Sequence, residues 1–287
     1  MNRHIKAFVR LIKAEDQIGN AIAFFTGYIY AAGLNMHGNL VPAFTATCLS
    51  LMAANALNQC TDADTDAINK PDRPIPSGMI SLREGYTIVA MLYAATLVLG
   101  ALVSMEFFAL VCIAVFLGIA YSIRPFRFKD RFVISNLSIA IGYGAINFLL
   151  GWSVTMPLGT APLYILLFLT LKDFFASISK DYRDMEGDRL YGARTIPIVL
   201  GRKRSIMMQF MALYIVFSTP IAFSMMVMEY DLAGMNQYLM VAGPIGLILT
   251  AKAHNDVLKG RDVSCYKVIM MLYLCIRGAI ITVAIFK

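Results

Sequence analysis

The stretch NQCTDADTDAINKPDRPIPSG, Asn58 to Gly78, follows directly on an apolar run that ends near residue 57. It places Asp62, Asp64, Asp66 and Asp72 within eleven residues. Carboxylates repel one another, and the repulsion grows as water is withdrawn. A row of them at the mouth of an apolar segment requires positive charge close by. Asn58, Asp62 and Asp66 are spaced i, i+4, i+8, so on a helix they share one face, and Asp64 points away from it.

The rest of the chain explains why that row is unusual. Of its 287 residues, 59% are hydrophobic and only 15% charged, against roughly 25% charged in a typical soluble domain. Nine apolar runs stand out, at about 17–34, 41–57, 86–103, 107–123, 133–152, 161–178, 206–228, 236–252 and 266–286. Each is long enough to cross a hydrocarbon core about 30 Å thick as a helix. Lipid offers no partner to backbone N–H and C=O groups, so such runs span as helices. The expected fold is an all-α membrane protein: one domain over residues 1–287, a bundle of nine transmembrane helices with two Asp-rich cytoplasmic loops. Gly243-Pro244 and Gly246 predict a kink or a short helix in the eighth run.

Lys and Arg set the orientation. They gather in the amino-terminal tail and in the loops after the second, fourth, sixth and eighth runs, which together hold 22 of the 25 basic residues. The positive-inside rule puts these segments in the cytoplasm. An odd number of spans then puts the carboxyl terminus on the opposite side. The same asymmetry accounts for the net charge of +7, so no nucleic-acid partner is needed, and no obligate protein partner is evident. The charged first 16 residues do not read as a cleavable signal peptide. Five scattered cysteines and three scattered histidines lack metal-ligand spacing.

A second acidic segment, KDYRDMEGDRLYGARTIPIVLG (Lys180 to Gly201), follows the sixth run. Asp181, Asp184 and Asp188 are spaced i, i+3, i+7 and share a face, whereas Glu186 does not. Two helix ends on one side therefore each present a row of carboxylates. Divalent cations resolve the conflict. Mg²⁺ prefers oxygen ligands and binds one or two carboxylates together with substrate phosphates. Arg73, Lys129, Lys180 and Arg189 are placed to take the remaining phosphate oxygens. A calcium loop at Asp62, Asp64 and Asp66 fails, because Ala67 stands where the turn needs Gly and Arg73 where it needs Glu.

These motifs resemble the UbiA superfamily of intramembrane prenyltransferases. The family's NDxxDxxxD pattern reads Asn58-Gln59-x-x-Asp62-x-x-x-Asp66 here, followed by the family-like NKPDRPIPSG. The second pattern, DxxDxxxD, is complete in Asp181, Asp184 and Asp188. Gln59 replaces the family's first Asp, a feature similar to the homogentisate prenyltransferase branch. YSIRPFRFKD, Tyr121 to Asp130, resembles the YSxPPxxxK segment of that branch and of chlorophyll synthases. The Lys found four residues after the Tyr in many relatives is Pro125 here, which leaves its role to Arg127 or Lys129. Lys13-Ala14-Glu15-Asp16 stands where many members carry an Arg-Pro pair.

The resemblance implies a Mg²⁺-dependent transfer of an isoprenyl group from a polyprenyl diphosphate to a small aromatic acceptor, with release of diphosphate. It implies metal binding by Asp62, Asp66, Asp184 and Asp188, with Asn58 as ligand or support. Asp181 is then a base or ligand organiser and Tyr121 a catalytic group. Asn20 in the first run, with Tyr143 and Asn147 in the fifth, is a candidate for the substrate pocket. Lys172 and Asp173 are further polar groups at membrane depth, expected to contact other spans and not each other. A terpene cyclase of the same fold, with no acceptor, is the alternative. An ion-coupled transporter fits less well, because the acids cluster at one membrane face and not at the midplane.

Overall fold

Each apolar run falls on a helix in the computed structural model of the chain, which describes residues 3–226 and 235–285. The helices are α1 (Arg3–Leu11), α2 (Asp16–Ala32), α3 (Leu40–Thr61), α4 (Ala63–Asn69), α5 (Leu82–Ala101), α6 (Met105–Ser122) and α7 (Ile134–Ile139). They continue as α8 (Asn147–Trp152), α9 (Leu163–Leu190), α10 (Ile196–Leu200), α11 (Arg202–Met226), α12 (Met235–Leu258) and α13 (Asp262–Ile285). A π-helical segment, Ala140–Ile146, joins α7 to α8 without a break. No strand occurs among the described residues.

Among the described residues, five helical stretches are long and apolar enough to cross a membrane: Leu40–Thr61, Leu82–Ala101, Met105–Ser122, Ile134–Trp152 and Asp262–Thr282. The other four runs lie on α2, α9, α11 and α12. Residues 227 and 228, the end of the seventh run, and residue 286, the end of the ninth, lie outside the described residues. The short helix foreseen at Gly243-Pro244 does not occur, because α12 continues through Pro244 for 24 residues. At Gly246 an added methyl would stand 2.4 Å from the Phe217 ring. Close packing on α11 thus supports α12 just past the proline.

Two cores form. One gathers α1, α2, α3, α5 and α6; the other gathers α9 to α13. The α7–α8 helix stands between them. Its Ile146 and Leu150 belong to the first core, and Phe148 and Trp152 to the second. Helix α2 packs along α8 and also against α13. Glycine makes the α2–α8 crossing possible. A Cβ on Gly27 would lie 1.9 Å from the Phe148 carbonyl oxygen, and one on Gly151 would lie 2.0 Å from that of Phe24. With apolar lipid outside, helix association relies on this kind of close backbone contact.

A buried charged cluster ties α9 to α13. Lys172 pairs with Asp173, and the Arg277 guanidinium lies 3.3 Å from the same carboxylate. Both cations stand 4.7 Å from the centre of the Tyr273 ring. Arg277 also donates to the Tyr143 carbonyl in the π segment. The expectation that Lys172 and Asp173 avoid each other is therefore corrected. Adjacent helical positions diverge, but the long lysine stem bends back to its neighbour when no water competes.

Gly27→Ala tests the crossing. Overpacking of this kind costs about 1–3 kcal/mol, so the variant is expected to melt below wild type in detergent. Gly38→Ala, where a Cβ meets nothing within 4 Å, is expected to melt unchanged.

Candidate active site

Helix α3 ends at Thr61, and Asp62 leaves helical geometry at φ −105°, ψ 11°. The hydrogen-bond ladder bridges the break. Asp62 N–H donates to the Asn58 carbonyl at 3.1 Å, and Asp66 N–H to the Asp62 carbonyl at 2.7 Å. The first acid row continues into α4, with Asp66 buried and Asp64 exposed. The proline-rich turn then folds back. Met79 and Ile80 N–H both donate to the Pro74 carbonyl, at 2.9 and 3.1 Å, and Gly78 takes φ +70°. Arg73 pairs with Asp66.

The loop after α6 supplies the next cations. Arg127 and Val133 hold left-handed φ of +38° and +63° on either side of the 3₁₀ turn Phe128–Asp130. For non-glycine residues such geometry costs about 1–3 kcal/mol each and collects at functional sites. The turn presents Lys129, which pairs with Asp62 and donates to Asn58 Oδ1 at 3.3 Å. Arg127 donates to Asp62 Oδ1 at 3.3 Å and pairs with Asp130. Burial lowers the Lys129 pKa, against the upward pull of Asp62.

Helix α9 carries the second row past its apolar part. Asn136 Nδ2 donates to Asp181 Oδ2 at 3.1 Å, and Lys180 lies 3.4 Å from Oδ1. Lys180 also donates to the Tyr121 hydroxyl at 3.0 Å. Burial raises the Asp181 pKa. Asp188 is pushed up to about 6, first by burial and then by the charges of Asp184 and Asp181. Asp130 adds to that field, and its carbonyl accepts the Arg194 N–H at 2.8 Å. The loop after α6 thus contacts the first row directly and, through the Asp130 carbonyl, the segment that follows the second. Arg183 lies 3.6 Å from Asp184 and stacks 4.6 Å from the Tyr266 ring centre. Arg189 is exposed, with no ion pair among the described residues.

Of the pocket candidates, Asn20 is buried and serves a bridge. It accepts from Asn147 Nδ2 at 2.9 Å and donates to the Thr47 carbonyl at 3.3 Å. Tyr143 sits in the π segment, its ring 6.5 Å from that of Tyr273. The sequence gives no signal for Asn136 or Asp130 as site residues, and it marks Lys13 only as part of Lys13-Ala14-Glu15-Asp16. Lys13, left-handed at φ +47°, lies within electrostatic reach of Arg73, Lys70 and Asp66, and burial followed by the Arg73 charge lowers its pKa. Its place just before the first apolar run was the available signal. Gln59 turns away from the acid row: its amide donates to the carbonyls of Arg10 at 3.0 Å and Leu11 at 2.6 Å.

Among the described residues, no three His, Cys, Asp or Glu converge on one metal position. Octahedral Mg²⁺ does not need three; one or two carboxylates with phosphate and water suffice. The donors are hard oxygens, and Asp188, whose pKa is raised first by burial and then by the charges of Asp184 and Asp181, is a carboxylate that a cation would stabilise in its charged form. A raised carboxylate pKa means that the metal-free site holds a proton below about pH 6, and a cation must displace it. Mg²⁺ affinity, followed by calorimetry, is therefore expected to fall about tenfold per pH unit below that value. Asp188→Asn is expected to weaken binding and flatten this dependence.

The sequence pattern of the UbiA prenyltransferase family matches residues 20–275. The chain is 32% identical over 202 residues to a digeranylgeranylglyceryl phosphate synthase of Natronomonas pharaonis, covering 70% of this chain and 72% of that one. It is 28% identical over 198 residues to the bacteriochlorophyll synthase 34 kDa chain of Chloroflexus aurantiacus, covering 68% and 64%. Its fold is similar to a structure of digeranylgeranylglyceryl phosphate synthase, with TM-score 0.77, 22% identity and full coverage of both chains. It is also similar to a UbiA homolog from Archaeoglobus fulgidus bound to GPP and Mg²⁺, with TM-score 0.74, 18% identity and coverage of 96% and 99%. With that family's pattern matched over residues 20–275, the chain belongs to the UbiA prenyltransferase family.

Proposed function

We propose that the chain transfers an isoprenyl group from a prenyl diphosphate to a small acceptor, with Mg²⁺ and at the cytoplasmic face of a nine-span bundle whose carboxyl terminus lies opposite. The observation that carries this reading is the loop Arg127–Asp130, which reaches Asp62 on one side and the field around Asp188 on the other. A diphosphate seated there would take Lys129 and Arg127 from the loop, with Arg73 beside Asp66 and Lys180 beside Asp181 as its further partners. Asp62, Asp66, Asp184 and Asp188 are the carboxylates that would hold Mg²⁺, with Asn58 as the neutral oxygen of the set. Bound Mg²⁺ supplies positive charge to the diphosphate oxygens as the C–O bond breaks.

The residues of the chain do the rest. Lys129 and Arg127 now neutralise Asp62, and Arg73 neutralises Asp66. When a cation takes over those carboxylates, the same side chains become free for phosphate oxygens. Lys180 bridges Asp181 and Tyr121, which orients the tyrosine ring at the end of α6. Aromatic faces stabilise an allylic cation by about 0.5–2 kcal/mol each. Asp181, with both oxygens engaged, organises the second row. Arg189, exposed, is the weakest of the diphosphate candidates.

The acceptor is proposed to be aromatic, on the strength of the tyrosines near the site and the Tyr121–Asp130 segment. A glyceryl phosphate ether is the second reading, favoured by the 32% identity to a digeranylgeranylglyceryl phosphate synthase.

Product analysis by mass spectrometry separates the readings. With Mg²⁺ and a prenyl diphosphate, a mass gain on an acceptor is expected. A hydrocarbon without any adduct would instead mark a cyclase. Asp66→Ala and Asp188→Ala are each expected to lower turnover at least about a hundredfold with the fold retained, and EDTA to stop diphosphate release. Full activity in either variant would remove the metal assignment.

A further inference from the structure

Asp16 opens α2 and has no part in the roles assigned so far. Asn55 Nδ2 donates to its Oδ2 at 3.2 Å and to the Ile12 carbonyl at 3.3 Å. Asn55 lies three residues before Asn58 and seven before Asp62, so it shares their face of α3. Asp16 is thereby held about one helical turn beneath the first acid row. It is half-buried, and its charge acts on the phenols of Tyr143 in the π segment and Tyr266 in α13. Tyr121 and Tyr273 act on Tyr143 as well. Tyr273 in α13 donates its hydroxyl to the carbonyl of Gly19, three residues past Asp16, at 3.2 Å, and its ring lies 6.5 Å from that of Tyr143, so α2, α13 and the π segment meet beside the Asp16 end of α2.

Two features separate Asp16 from the other carboxylates. Asp181 has Asn136 on one oxygen and Lys180 on the other, whereas Asp16 Oδ1 has no hydrogen-bond partner among the described residues. Burial raises the Asp16 pKa, against the pull of Lys13 and the Asn55 hydrogen bond. A carboxylate that is oriented, half-desolvated and open on one oxygen is built to receive a proton.

We propose that Asp16 is the proton acceptor for the second substrate, and that this substrate points a hydroxyl, alcoholic or phenolic, at Asp16 Oδ1. The proposal rests on the prenyl-transfer reading. The bond between C1 of the prenyl group and the diphosphate oxygen breaks, and its electron pair leaves with diphosphate. The acceptor oxygen, or the ring carbon beside a phenolic oxygen, bonds to C1. The hydroxyl proton passes to Asp16 and then to water. With a phenol attacking through carbon, the ring C–H proton returns to the oxygen, so one proton is released in either case.

Asp16→Asn keeps an oxygen for Asn55 and removes the base. Wild type and variant are compared with 4-hydroxybenzoate and with a mono-prenyl ether of glycerol phosphate as acceptors. Transfer is expected to fall about a hundredfold or more in Asp16→Asn, with partial recovery in Asp16→Glu. The melting temperature and the affinity for a prenyl thiodiphosphate are expected to hold. The preferred acceptor tells phenol from alcohol. Wild-type rates in Asp16→Asn would overturn the proposal, as would turnover of the O-methyl ether of the phenol at the parent rate by the wild-type protein. Wild type that releases diphosphate yet transfers to neither acceptor would refute the hydroxyl claim. No diphosphate release from any prenyl donor would refute the prenyl-transfer reading itself.

Discussion

Carboxylates crowded at the ends of α3 and α9 are the constraint on which this site depends. Like charges at short range and in scarce water are unfavourable, and the structure answers them unequally. In the first row every buried or half-buried Asp has a cation: Asp66 has Arg73, and Asp62 has Lys129 and Arg127. In the second row, Asp188 has no ion pair among the described residues and its pKa rises to about 6. The two left-handed residues that bracket the loop after α6 fit this need. They aim Lys129 and Arg127 at a row more than sixty residues earlier in the chain.

The one position where the first row departs from its family has a local cause. Residue 59 points at α1 and must donate to two main-chain carbonyls, those of Arg10 and Leu11. These lie at the end of α1, where carbonyls lack helical partners. A carboxylate cannot donate; an amide can. Gln59 thus fixes the end of α1, and the turn that follows brings Lys13 toward Arg73 and Asp66. The departure moves residue 59 from the acid row to the scaffold that supports it.

Much of this was legible from spacing alone. Helical periodicity put Asn58, Asp62 and Asp66 on one face and left Asp64 outside, and it did the same for Asp181, Asp184 and Asp188 against Glu186. It holds even though α3 breaks at Asp62, because the hydrogen bonds carry on through the break. Long-range partners were not legible. No local rule pairs Lys129 with Asp62, Asn136 with Asp181 or Arg277 with Asp173. Lys172 and Asp173 pair against that expectation because helix geometry describes Cβ directions, and a lysine amine sits three methylenes beyond its own Cβ. Asp16 stands in the sequence only as a charge before the first apolar run and as part of Lys13-Ala14-Glu15-Asp16; its partner Asn55 is thirty-nine residues away, beyond any local rule.

The most direct measurement is the affinity of a non-hydrolysable prenyl thiodiphosphate, by calorimetry, with and without Mg²⁺. If the two acid rows hold the diphosphate through the cation, binding requires Mg²⁺, and Asp62→Asn and Asp188→Asn each weaken it. Tight binding without Mg²⁺, unaffected by either substitution, would contradict the account.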